Sequence, residues 1–157
     1  MEEEEHIREV CAQYGAAMYL VQCLEHAIVN VLVTRDLFLK QTGPMRAAGS
    51  TKEDMYAVFD TYISAQFKKT MGNLIRHLKT VSAVPEYVED ALGYTKERRD
   101  FLAHSFFRER AEQFVTSAGR DEMLAELKKD QKLFSDMDEI VMSFADHSKV
   151  KRSGAPE

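Results

Sequence analysis

Tryptophan is absent from this chain, cysteine occurs twice, proline three times and glycine seven times in 157 residues. So little Pro and Gly excludes collagenous, low-complexity and turn-rich all-β architectures, which spend those residues on turns. A disulfide scaffold is excluded as well. Cys11 and Cys23 lie on one helical stretch, roughly 18 Å apart at 1.5 Å rise per residue, too far for a bridge. The dispersed glycines form no loop that would cradle a phosphate. Cationic excess is also missing, with 21 Lys+Arg against 26 Asp+Glu and a formal charge of −5. Coating of nucleic acid or an anionic membrane by the whole surface is therefore excluded, while a local basic site stays open. The most apolar region, Tyr14 to Val33, is interrupted by Gln22, Glu25, His26 and Asn30. A lipid-spanning helix does not carry that set without a functional reason. With a Met-Glu-Glu-Glu-Glu start in place of a signal peptide, the expectation is a cytoplasmic protein without membrane partners, its two thiols reduced and buried.

What is present is helical periodicity. Ile7, Cys11, Tyr14, Met18, Val21, Leu24, Ile28 and Val31 recur at three- and four-residue steps, and Glu2 to Glu5 favour the start of that helix through its dipole. Gly43-Pro44 is expected to stop it, followed by a small-residue loop to Ser50. Ser50-Thr-Lys-Glu53 reads as a capping box opening a second helix with Tyr56, Phe59, Ile63 and Phe67 on its apolar face. Thr70-Met-Gly-Asn73 marks a break before a shorter helix through Leu74, Leu78 and Val81. Pro85 then suits the start of a helix from Glu86 to about Val115. A connection over Ser117–Asp121 leads to a final helix with Met123, Leu127, Phe134, Met137, Val141 and Phe144. The predicted fold is all-α, a four-helix up-down bundle with one additional short helix. Residues 1–148 are expected to form a single domain, with 149–157 a flexible tail.

Metal-ligand spacing is not evident, because none of His6, His26, His77, His104 and His147 stands four residues from another His or Cys. No metal and no cofactor is predicted. One stretch stands out, Glu97-Arg98-Arg99-Asp100-Phe101-Leu102-Ala103-His104-Ser105-Phe106-Phe107-Arg108. Arg99 falls within roughly 20° of Leu92 and Phe106 on a helical wheel, in the middle of a stripe expected to be buried. Asp100, His104 and Arg108 share another side at four-residue steps. An arginine in an apolar seam must be paired or must serve a site. Helix geometry alone favours pairing, with Asp100 and Glu97 neutralising Arg98 and Arg99. The functional reading is a phosphate site, Arg supplying a planar multi-donor clamp and His a proton carrier.

Arg99-Asp100-Phe-Leu-Ala-His104 resembles the signature of the HEPN superfamily, an Arg, a polar residue and a His about five positions after the Arg. The long first helix, Thr-Met-Gly-Asn-Leu-Ile-Arg at 70–76, Leu-Ala-His-Ser-Phe-Phe and Gly-Arg-Asp-Glu-Met extend the likeness over residues 5–145. The resemblance implies a homodimer with both motifs meeting at a cleft, and a metal-independent endoribonuclease, here the toxin of a toxin–antitoxin pair. By that resemblance His104 is the general acid/base, Arg99 stabilises charge on the phosphate oxygens, and Asp100 orients one or the other. Arg98 and Arg108 are expected as auxiliary phosphate contacts. RNA and an antitoxin protein are the implied partners. The alternative is a catalytically inactive HEPN-like dimer that binds or regulates, with Arg99 held by Asp100.

Overall fold

A computed structural model describes residues 2–145, and the predicted tail at 149–157 lies outside them. The described chain is all-helical. It runs α1 (Glu3–Leu32), a π-helical segment (Val33–Phe38), α2 (Leu39–Ala47), α3 (Lys52–Phe67), α4 (Met71–Val81), α5 (Glu86–His104), α6 (Phe106–Glu109), α7 (Ala111–Phe114) and α8 (Ser117–Ser143).

Several boundaries differ from the sequence expectation, each for a local reason. Gly43-Pro44 does not stop the first helix; the helical run continues to Ala47 with Pro44 inside α2. A wide turn precedes α2, the π-helical segment, whose one extra residue per turn changes which side chains face inward. The capping box is present one residue later than predicted. Thr51 accepts from the Asp54 amide, and Asp54 accepts from the Thr51 amide. The break at Thr70 and the start after Pro85 stand as expected. The helix predicted to run to Val115 instead ends at His104, because Ser105 and Arg110 leave helical geometry. Tyr14 packs beside this break, its ring 5.7 Å from Phe106 and 5.0 Å from Phe107. The predicted connection at Ser117–Asp121 is helical. Arg120 is buried and donates Nη1 to the Phe114 carbonyl at 2.9 Å, and α8 begins at Ser117.

The described residues group into two compact units. The first comprises residues 2–24 and 87–138. Its core is Val10, Ala17, Val21 and Leu24 of α1, Val88, Leu92, Thr95, Leu102 and Phe106, and Met123, Leu127, Phe134 and Met137 of α8. The start of the α1 stripe is thus Val10–Tyr14–Ala17. Ile7 is only half-buried, and Cys11, expected buried, is exposed. Polar ties accompany the apolar packing: Tyr14 donates to the Leu102 carbonyl at 3.0 Å, and Gln131 donates to Gln13 Oε1 at 2.8 Å.

The second unit comprises residues 25–86 and 139–145. Ile28, Val31, Leu32, Leu37, Met71, Leu74, Leu78 and Val141 form its core. The apolar face predicted for α3 is not buried. Tyr56 and Phe67 are exposed, and the residue of α3 that is buried is polar Gln66. One helical run, Glu3–Ala47, is long and apolar enough to cross a membrane by length and composition. In this fold its Leu24, Ile28, Val31 and Leu32 lie in the two cores.

Candidate active site

The last two turns of α5 carry Arg98, Arg99, Asp100 and His104, and α6 adds Arg108. The buried line Val88, Leu92, Thr95, Leu102, Phe106 fixes the orientation of α5 in the first unit. Sequence reasoning placed Arg99 in that line. The structure puts Arg99 at its border, with 30% of the side chain exposed, while Arg98 is the more deeply enclosed of the two at 17%.

Arg98 is fully engaged. Its Nε and Nη2 donate to the two carboxylate oxygens of Asp130 at 2.7 Å each, and Nη2 also reaches Glu126 Oε1 at 2.8 Å. Arg110 donates to both oxygens of the same glutamate, Nε to Oε2 at 2.8 Å and Nη2 to Oε1 at 3.0 Å. The Phe101 ring lies against both guanidiniums, 4.8 Å from that of Arg98 and 5.1 Å from that of Arg110. Cation–π attraction offsets part of the repulsion between them. The hydrogen bonds that Arg98 donates to Asp130, then the one it donates to Glu126, hold its pKa above the ordinary value against the effect of burial. Burial raises the pKa of Glu126, but the hydrogen bonds and charges of Arg110 and Arg98 outweigh it and keep the carboxyl below its usual range. This network joins α5, α8 and the turn between α6 and α7. Arg98 is committed to it and is not available as the phosphate contact expected from the sequence.

Arg99, Asp100 and His104 are differently placed. Asp100 accepts from Lys96 at 2.8 Å and from Arg99 Nη1 at 3.1 Å. The Lys96 hydrogen bond is the main reason its carboxyl titrates below the ordinary value, with Arg99 adding to it. Glu97, expected to share the neutralising of Arg98 and Arg99, is exposed. His104 ends α5, exposed to solvent, and no side-chain hydrogen bond is formed to it among the described residues. Arg108 is exposed and donates to Ser105 Oγ at 3.1 Å and to Glu109 at 3.1 Å. The structure therefore keeps Asp100 beside Arg99. It leaves His104 and Arg108 on open surface at the helix end. Arg99 and His104, five residues apart, project roughly 140° from one another around the helix axis.

Two features went unread in the sequence. The Arg98–Asp130 pair was signalled by Asp130, which falls on the register of Met123, Leu127, Phe134 and Met137; a carboxylate in an apolar seam requires a cation. A second cluster, Asp36–Tyr62–His77, joins residues far apart in the chain, and no spacing pattern announces it. Among the described residues no group of three or more His, Cys, Asp or Glu is arranged to hold a metal ion. Comparison with family models, with curated proteins and with solved structures returned no match to this chain.

Proposed function

We propose that the protein is a cytoplasmic HEPN-like endoribonuclease acting without metal, on a four-helix up-down frame that pairs as a homodimer. The observation that carries this reading is the state of the α5 terminus. His104 is exposed and without a side-chain hydrogen-bond partner among the described residues, while the neighbouring Arg99 is held by Asp100. A histidine in water is suited to proton transfer near neutral pH. An arginine fixed by a carboxylate is preorganised to meet developing charge on phosphate oxygens.

In this reading the RNA 2′-hydroxyl attacks the adjacent phosphodiester, and the bond to the 5′-oxygen breaks. A 2′,3′-cyclic phosphate and a 5′-hydroxyl result. His104 accepts the 2′-hydroxyl proton or protonates the leaving oxygen, and Arg99 stabilises the non-bridging oxygens. Arg108 adds an exposed cation for a flanking phosphate. Asp100 is a positioning residue. Because Arg99 and His104 diverge around one helix, two copies of α5 meeting at a cleft supply both groups to one phosphate. An antitoxin protein covering that cleft fits the same reading.

The second reading is a non-catalytic dimer that binds through this surface. The ion pairs of Asp100 with Lys96 and Arg99 favour it, since they reduce the positive potential offered to a phosphate. Incubating purified protein with RNA in EDTA separates the two. Cleavage that is lost in both Arg99→Ala and His104→Ala supports the nuclease. Cleavage that persists unchanged in either variant overturns it, and retention of RNA without cleavage assigns the binding role.

A further inference from the structure

The second unit contains a polar construction that the α5 site does not use. Lys69, Asn73, Arg76, His77 and Thr80 line a depression of about 340 Å³ along α4. Two permanent cations face it and no carboxylate lines it. Behind the lining, Asp36 of the π-helical segment accepts from Tyr62 at 2.9 Å and from Lys40 at 2.7 Å, and His77 Nε2 lies 3.2 Å from it. Burial pushes the Asp36 pKa up, but the Lys40 and Tyr62 hydrogen bonds and the charge of Lys40 bring it below the ordinary value. An ionised Asp36 fixes the His77 ring. Its other nitrogen, Nδ1, then stands 3.3 Å from both Lys69 Nζ and Gln66 Oε1.

The consequence falls on Lys69. A surface lysine ordinarily samples many rotamers, and ordering it costs entropy. Here two of its three N–H groups are occupied, by Gln66 Oε1 at 2.8 Å and by His77 Nδ1. Gln66 is itself 4% exposed, so the anchor is rigid. Arg76 donates Nη1 to Asn73 Oδ1 at 2.7 Å, which holds the guanidinium on the same face and turns the Asn73 amide into a donor. The result is a preorganised set of N–H donors with a charge of +2 and no competing anion in the lining.

We propose that this depression binds a phosphoryl group, as a phosphomonoester or as free phosphate, through Lys69, Arg76 and Asn73. Asp36, His77 and Gln66 hold Lys69 in position. A phosphate dianion matches the two cations in charge, and its several acceptor oxygens match the donors in number. The site lies in the second unit and stands independently of the ribonuclease reading.

The test is calorimetric titration of the full chain with sodium phosphate and, separately, with adenosine 5′-monophosphate at constant ionic strength. Saturable one-site binding is expected, weakened at least about tenfold in Lys69→Gln/Arg76→Gln, the loss of two charge-assisted contacts. It is expected unchanged in Arg99→Ala/His104→Ala, so failure of the nuclease reading does not carry this one with it. Equal affinity for the two ligands assigns the site to the phosphoryl group alone, and tighter nucleotide binding assigns a phosphomonoester. Affinity in the double variant within a factor of about two of the native chain overturns the proposal, as does absence of saturation with both ligands. A readout on the native chain covers any loss of folding in the variant. With ¹³Cε-labelled lysines, phosphate must shift the Lys69 signal selectively, and a uniform shift of all lysines overturns the assignment.

Discussion

Arg98 grips Asp130 through both carboxylate oxygens, at 2.7 Å each, with the Asp130 side chain only 5% exposed. Arg99, the next residue, contacts an Asp100 that is already paired with Lys96. Two adjacent arginines thus occupy opposite situations. Removing the first strands a buried carboxylate; removing the second leaves Asp100 with a partner.

The stabilities of Arg98→Met and Arg99→Met should differ accordingly. Arg98→Met is expected to cost about 3–5 kcal/mol, the penalty for breaking a buried pair at one end. Arg99→Met is expected to cost no more than about 1 kcal/mol, as for an exposed pair. Urea unfolding of both variants measures this. Equal losses would contradict the assignment of Arg98 to structure and Arg99 to function.

Glu126 provides a pH signature. Its folded pKa is depressed below the ordinary glutamate value. Its contribution is therefore fully present above that value and is lost as pH falls through the folded pKa. Glu126→Gln should be less stable than the native chain by on the order of 2 kcal/mol at neutral pH. The gap should close on acidification, when the native carboxyl becomes neutral as well. Denaturant midpoints from pH 7 down to about 3 follow this, and a gap that stays constant would contradict it.

Gly119 lies within α8, where alanine normally helps a helix by about 1 kcal/mol. A Cβ at this position meets the Gln113 carbonyl oxygen at 2.3 Å and its Cα at 2.4 Å. Backbone cannot swing aside as a side chain can, so the clash outweighs propensity. Gly119→Ala is expected to destabilise by about 2 kcal/mol or more, read as a lowered thermal midpoint. An unchanged or raised midpoint would show that α7 yields.

The sequence was most legible where one face of a helix is buried. The three- and four-residue recurrence located the cores of α4, α5 and α8 and that of α1 from Val21 onward, and Thr70 and Pro85 located two boundaries. It was least legible at helix ends. Pro44 sits inside a helix, and the predicted long helix ends at His104, where Ser105 leaves helical geometry. On α3 aromatic periodicity does not signal a buried face: Tyr56 and Phe67 are exposed, and Phe59 and Ile63 are half-buried. On α5 the arginine expected in the buried seam is Arg99, whereas Arg98 is the more enclosed and the more fully paired of the two. The deciding partner, Asp130, is 32 residues away on α8. Its place in an apolar register was the available clue.

The ribonuclease reading is tested most directly by the chemistry of the cut ends. RNA incubated with the native chain in EDTA, then analysed by mass spectrometry, should give fragments ending in 2′,3′-cyclic phosphate with new 5′-hydroxyls. His104→Ala should leave the RNA intact under the same conditions. Fragments bearing 3′-hydroxyl and 5′-phosphate ends, or the same cyclic-phosphate ends at native yield from His104→Ala, would contradict it.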